Sequence, residues 1–354
     1  MQLDGASTRR HLPLVTGARG TRPHELLPED ETDARYQPRF AIWELTLRCT
    51  SRCRHCGSRA GASTRPNELS VEEALALADQ LADLGVLEVS LIGGEAFLHD
   101  GFLRIVERIA RRGIKVAIAT GGVGVDAELA RSAAAAGLGS VSVSIDGIGK
   151  THDALRGVRR GYEAAVEALG HFRAAGVQIG VNSQFNRRNL ADLEGLADLV
   201  LAEGAKGWQV AITVAMGEAA DRPEILLQPY DVLELIPRLA QQKERLAEHG
   251  VLLWPGNNIG YFGPHERTLR GTSGAGHYAG CGAARSVIGI ESDGSIKGCP
   301  SLPTNPYSAG TIREHSLREL WQRAPVFQAQ RARTKDSLWG FCGDCYYASV
   351  CRGG

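Results

Sequence analysis

Between Phe40 and Ile212 short apolar runs alternate with longer stretches of helical period, and this rhythm constrains the fold more than any other feature of the chain. It predicts strands over Ala41 to Leu47, Val86 to Ile92, Lys115 to Thr120, Ser140 to Ile145, Gln178 to Val181 and Gly207 to Ile212. Helices are expected over Ser70 to Leu84, Asp100 to Arg112, Asp126 to Ala136, Gly161 to Ala175 and Asn189 to Glu203. Ser70 with Glu73 three positions on reads as a capping box, and Gly85 as the stop signal of the same helix. Strands that alternate with helices make a parallel sheet covered by those helices, so the expected class is α/β. Six such strands suffice for a partial (β/α)6 TIM-like barrel.

The two ends of the chain follow a different pattern. Residues 1 to 38 are rich in Arg, Pro, Glu and Asp and are expected to form a poorly ordered arm. After Met216, Pro223, Pro229 and Pro237 punctuate a helical stretch ending near Glu248, and a glycine-rich region from Gly256 to Gly282 follows. A boundary near residue 255 therefore divides a barrel (39–255) from an extension (256–354) that holds Cys281, Cys299, Cys342, Cys345 and Cys351. That extension has too little regular apolar pattern to hold itself together without metal, so a cysteine-rich iron-sulfur or zinc core is expected.

Charge and hydropathy narrow the partners. Lys plus Arg equals 40 and Asp plus Glu equals 40, which gives no reason to expect nucleic acid or an anionic membrane surface as the main partner. No apolar run approaches the roughly 20 residues of a membrane span, and the first residues lack the apolar stretch of a secretory signal. A cytoplasmic location is expected, and in a reducing cytosol eight cysteines in tight groups read as metal ligands rather than disulfides.

Cys49, Cys53 and Cys56 form a C-x3-C-x2-C array directly after the first expected strand. Thiolates suit both iron-sulfur clusters and zinc, and three of them leave one iron of a four-iron cube without a protein ligand. A loop leaving the carboxyl end of a barrel strand lies on the face where active sites are built. A zinc site completed by His55 is the alternative, although His55, between two of the ligands, reads more simply as a solvent-facing loop residue.

A C-x3-C-x2-C loop after strand one of a βα barrel resembles the radical S-adenosylmethionine (SAM) superfamily. The resemblance implies a [4Fe-4S] cluster on the three cysteines. Its open iron is chelated by the methionine amino and carboxylate groups of S-adenosylmethionine, and an electron from the cluster cleaves the sulfonium to a 5′-deoxyadenosyl radical. Gly93, Gly94 and Glu95, ending the second strand, resemble the motif that accepts hydrogen bonds from the methionine ammonium, with glycines that let backbone approach a ligand. Ser142, Ser144 and Asp146 alternate onto one face of strand four, where the family places polar groups near the ribose and methionine; Asp146 could equally cap a helix. In His152 to Gly157 the resemblance has Arg156 pair with the cofactor carboxylate. Asn182, Ser183 and Asn186 on strand five are expected to meet ribose or substrate or to form a turn, and Thr213 and Met216 to line the pocket.

The later cysteines, C-x12-G-x4-C and then C-x2-C-x5-C, resemble the extension called SPASM, with a zinc ribbon as the alternative. By that resemblance Cys281 and Cys299 help bind one auxiliary cluster and Cys342, Cys345 and Cys351 a second. The family pattern continues with a cysteine three residues beyond Cys351, past Gly354, so a C-terminal truncation is expected. Trp339, Tyr346 and Tyr347 are expected to pack around a cluster. Enzymes with this extension commonly act on peptides, so the expected substrate is a ribosomally made precursor peptide, with a flavodoxin or ferredoxin as electron donor. Pro300 stands where sulfatase-maturating relatives place a carboxylate, which argues against that activity. With about 38 residues ahead of the barrel, peptide recognition would fall to a separate protein, to the arm or to an exposed strand edge. A small-molecule radical enzyme and a non-catalytic zinc module are the competing readings.

Overall fold

The computed structural model describes residues 25–32, 35–259, 263–271, 278 and 280–353. Most of the expected arm, and much of the glycine-rich region, lie outside the described residues. Seven parallel strands follow one another in chain order: β1 (Phe40–Thr46), β2 (Glu88–Gly93), β3 (Lys115–Thr120), β4 (Leu138–Ser144), β5 (Gln178–Phe185), β6 (Gly207–Ile212) and β7 (Leu252–Pro255). On the other side of β1 the sheet continues with β8 (Val287–Ile290), parallel to β1, then β9 (Ser295–Lys297) and β10 (Gly310–Thr311), which pair antiparallel. The helices are α1 (Val71–Asp83), α2 (Phe102–Arg111), α3 (Ala127–Ala135), α4 (Lys150–Arg156), α5 (Gly161–Ala174), α6 (Leu193–Ala202), α7 (Pro229–Glu248), α8 (Glu266–Arg270), α9 (Leu317–Arg323) and α10 (Pro325–Arg331).

Local chemistry explains the elements. Ser70 accepts from the Glu73 amide while the Glu73 carboxylate accepts from the Ser70 amide, closing the capping box read from the sequence. Along the central strands one face carries Val116, Ile118, Val141, Val143, Ile179, Val181, Trp208 and Val210, all buried in the apolar core. The alternate positions, Ala117, Ala119, Ser140, Ser142, Ser144, Gly180, Asn182 and Ala211, are half-buried, and their small or polar side chains leave the concave face of the sheet open.

Within the barrel, elements also differ from the sequence-based expectation. Strand β5 runs on to Phe185 because Asn182, Ser183 and Gln184 stay in register with β6 despite their polarity. Strand β7 has four residues and no strong alternation of its own; it is fixed by pairing with β6 and by Lys243, whose buried ammonium donates to the carbonyls of Leu253 at 3.1 Å and Leu269 at 2.6 Å. The stretch His152 to Gly157, read as a cofactor motif, falls on helix α4 and its glycine C-cap.

Beyond Cys281 the chain joins the barrel sheet through β8. A buried polar cluster reinforces that junction: Arg65 bonds Glu44 of β1 at 2.8 Å and reaches Glu291 at 3.4 Å, and Lys297 bonds Glu291 at 2.8 Å.

Truncation of a fully enclosed helix residue tests the core. Leu81→Ala removes a side chain with no exposed surface from the inner face of α1, and a loss of about 2–5 kcal/mol is expected in denaturant unfolding. A change below about 1 kcal/mol would show that α1 is not packed as described.

Candidate active site at the cysteine loop

The cysteine loop starts where β1 stops, and its two ends are closed by backbone. Cys49 N donates to Gly61 O at 2.6 Å and Gly61 N to Leu47 O at 3.0 Å. Two neighbouring segments then grip it. The last carbonyls of α4, which no helical amide can reach, accept from the loop: Arg54 N to Leu155 O at 2.8 Å and Arg52 N to Arg156 O at 3.1 Å. On the other side Glu218 N donates to Cys56 O at 2.8 Å, and the close approach leaves no room for a side chain at Gly217, whose φ is +54° and whose Cβ would lie 2.2 Å from Cys56 O.

The glycines at the end of the second strand pass directly against the cysteine loop. A Cβ on Gly93 would lie 2.2 Å from Thr46 O, and one on Gly94 2.0 Å from Arg48 O. This close passage lets Gly94 N bond Thr46 O at 2.8 Å and Glu95 N bond Arg48 O at 2.7 Å. The Glu95 carboxylate is turned inward, accepting from Thr120 Oγ1 at 2.5 Å and Gly121 N at 2.7 Å. Burial pushes it up to about 7, against the pull of those two donors and of Arg156.

At the centre lies Asp146, with no exposed surface. It is not a helix cap. One oxygen takes Arg156 at 2.6 and 2.7 Å together with His55 Nε2 at 3.0 Å, and the other accepts from Gln184 N at 2.7 Å. Burial alone would raise its pKa, but Arg156 and His55 overrule it and hold the carboxyl well below the usual carboxylate range. The expectation that His55 faces solvent is therefore corrected: it is 4 % exposed, because the buried charge of Asp146 draws the ring inward. Arg156, expected to face the cofactor carboxylate, spends its guanidinium on Asp146 and donates to Cys53 Sγ at 3.7 Å. His152 is held neutral, its pKa pushed down to about 4 by burial and by Arg156, and its Nδ1 accepts from Asp146 N at 3.2 Å.

Other expected site residues separate according to the face of their strand. Ser144 of β4 stands beside Asn182 of β5 on the concave face, and the Asn182 side-chain oxygen is buried with no donor among the described residues. Ser183, one position on, points the other way and is structural: it donates to Ile145 O at 2.5 Å and accepts from Trp208 Nε1 at 2.9 Å. Asn186 is likewise buried, bonded to Thr213 Oγ1 at 3.4 Å and to Arg188 N at 3.0 Å. Met216 packs against Gly57 in the cysteine loop.

The residues fit an iron-sulfur cluster and its nucleoside cofactor. Each thiol of the triad already receives an N–H donor: Ser51 N to Cys49 and Ala60 N to Cys56, both at 3.4 Å, and Arg156 to Cys53. Donors of this kind stabilise cluster thiolates. Burial pushes the free Cys49 thiol up to about 11, and the Cys53 and Cys56 charges act in the same direction, so the three sulfurs sense one another. The orphaned acceptor on Asn182 suits a ribose hydroxyl on the concave face. Among the described residues no three His, Cys, Asp or Glu converge tightly enough to hold a single ion. In the extension Cys281 receives Ala283 N at 3.4 Å and lies close enough to Cys299 to help burial raise that thiol. Cys342 and Cys345 are exposed and Cys351 half-buried in the C-terminal turns. Trp339 and Tyr346, expected to pack around a cluster, are 58 % and 90 % exposed, because the short C-terminal turns bury little besides Ala348.

Residues 43–200 match the family model described as the radical SAM superfamily, and residues 281–346 that of an iron-sulfur cluster-binding domain, SPASM. The chain belongs to the radical SAM superfamily and carries a SPASM domain. It is a radical SAM enzyme whose cofactors are [4Fe-4S] clusters and S-adenosylmethionine. It is 30% identical to the mycofactocin maturase MftC of Mycobacterium ulcerans over 326 residues, covering 90% of this chain and 82% of that protein. It is 26% identical to an AdoMet-dependent heme synthase of Nitratidesulfovibrio vulgaris over 355 residues, covering 94% and 92%. The crystal structure of Streptococcus suis SuiB bound to the precursor peptide SuiA shares the fold, with a TM-score of 0.69 at 19% identity over 90% of this chain and 72% of that one. Among the described residues no helix is long and apolar enough to cross a membrane.

Gly94→Ala tests the packing of the loop. A methyl group there collides with the Arg48 carbonyl, so iron incorporated per protein on anoxic reconstitution, measured in a chain whose five later cysteines are alanine, should fall several-fold. Wild-type iron content in that background would mean that β2 does not set the loop.

Proposed function

We propose that this radical SAM enzyme acts on a ribosomally made precursor peptide. The observation that carries the reading is the loop of three thiols, each with its own N–H donor, at the carboxyl end of β1 and open to a concave face of small and polar side chains. Similarity to a maturase and a fold shared with a protein seen bound to a precursor peptide support the peptide class. Similarity to heme synthases favours a second reading, a small-molecule substrate.

In this proposal Cys49, Cys53 and Cys56 hold the catalytic cluster, which with S-adenosylmethionine supplies one-electron reductive cleavage to a 5′-deoxyadenosyl radical for hydrogen abstraction. Gly93 and Gly94 seat the loop and, with Glu95, meet the cofactor's amino group. Asp146 holds Arg156 against Cys53, while Ser144 and Asn182 meet the ribose. Cys281 and Cys299 serve one auxiliary cluster and Cys342, Cys345 and Cys351 another, in an extension spanning 256–354 beside a barrel of 39–255. A small flavodoxin or ferredoxin in the cytoplasm supplies the electron, and a separate protein presents the peptide.

Two assays test this. Under reducing, anoxic conditions the reconstituted protein should release 5′-deoxyadenosine from S-adenosylmethionine, and Cys53→Ala should reduce that release to background while leaving the circular dichroism spectrum unchanged; cleavage retained in the variant contradicts the cluster assignment. Incubation with short peptides encoded beside the gene should then change the mass of one of them, whereas turnover of a porphyrin and of no peptide would establish the small-molecule reading.

A further inference from the structure

A pocket opens between the cysteine loop and the extension, walled by Ile92, Met216, Ile290, Pro300 and Leu302 and touching Gly57 of the loop. Its polar floor is the ion cluster that joins barrel and extension. That cluster is balanced, with two carboxylates, Glu44 and Glu291, and two cations, Arg65 and Lys297. Glu291 has a donor within reach of each oxygen: Lys297 and Arg65 on Oε1, and the Thr304 hydroxyl 2.8 Å from both, its one proton shared between them. Glu44 does not. Arg65 at 2.8 and 3.2 Å and Ser292 Oγ at 3.3 Å all reach its Oε1, and no described residue donates to Oε2. The side chain is 8 % exposed and lines the pocket, so a largely buried carboxylate turns one oxygen toward whatever enters.

We propose that this pocket is a substrate subsite for an uncharged side chain carrying a hydrogen-bond donor on an apolar body, such as a phenol or an indole, and that Glu44 Oε2 is its acceptor. This rests on the peptide reading given above and narrows it. The apolar walls select a largely apolar guest. The charge balance of the floor disfavours acidic or basic guests, since an additional buried charge would have no counterion. A guest that covers this acceptor without donating to it strips its water at a cost in free energy, so a guest that donates is preferred over an isostere that cannot. Glu44 is therefore a specificity-determining residue. It lies on β1, three positions before Leu47, and its register partner on β2 is Ile92.

The test uses anoxically reconstituted full-length protein with S-adenosylmethionine and four probes in equilibrium dialysis: N-acetyltyrosinamide, N-acetylphenylalaninamide, N-acetyllysinamide and N-acetylaspartamide. The tyrosine probe should bind about tenfold more tightly than the phenylalanine probe, with the two charged probes weakest. In Glu44→Gln, which keeps an oxygen for Arg65, the preference for tyrosine should shrink to about twofold or less. Equal binding of the tyrosine and phenylalanine probes to the wild-type protein, tighter binding of a charged probe, or no binding at all overturns the proposal, whether or not the variant folds. Release of 5′-deoxyadenosine is measured on the same preparation. Its presence alongside a failed probe series removes this inference and leaves the radical reading standing, whereas its absence counts against that reading separately.

Discussion

A single buried carboxylate organises this active site. Asp146 leaves the end of β4 with no exposed surface, and it draws in His55 from the cysteine loop and Arg156 from the last turn of α4. An ionised carboxylate in such a place is costly unless it is paired and hydrogen-bonded, and removal of one partner from a pair of this kind typically costs about 3–5 kcal/mol. The pairing therefore fixes three segments at once. With Arg156 locked, its Nη1 meets Cys53, and the carbonyls at the end of its helix take the amides of Arg52 and Arg54. The loop that must present three sulfurs is thus held by electrostatics on one side and by backbone hydrogen bonds on the other, with little apolar packing of its own.

The extension is attached by two kinds of bonding that reinforce each other. Backbone pairing of β8 with β1 makes it part of the barrel sheet, and the ion cluster of Glu44, Arg65, Glu291 and Lys297 ties the same strands through side chains. Strand β1 carries both Glu44 and the start of the cysteine loop, so the extension and the loop are anchored on one strand. The apolar pocket at this junction lies where the two units meet, with floor and walls from both.

Much of this was legible in the sequence. Strands β3 and β6 begin and end at the residues that periodicity indicated, and the Ser70 and Glu73 capping box formed as its spacing implied. Those features depend on local preferences, which the sequence carries directly. The cysteine array was legible for a related reason, since thiols at that spacing have few other uses. What escaped depends on distant partners. His55 reads as a loop residue until Asp146, 91 positions away, is placed beside it. That Gly94 also has to pass against Arg48 O, where no side chain fits, shows only once the cysteine loop is folded beside it. Ser183 and Asn182 look alike in sequence, and only the pleat, which sends one to Trp208 and the other to the concave face, separates a structural residue from a site residue. Strands β7 and β8 have four residues each and owe their conformation to β6 and β1.

The claim at the centre is that the triad of Cys49, Cys53 and Cys56 carries a four-iron cube with one iron left free by the protein. Electron spin resonance decides it in a chain whose five later cysteines, Cys281, Cys299, Cys342, Cys345 and Cys351, are all replaced by alanine, prepared anoxically and reduced with dithionite. A reduced [4Fe-4S] signal is expected in that chain, and its g values should shift when S-adenosylmethionine is added. A chain with no cluster signal, or a signal indifferent to the cofactor, would contradict the assignment.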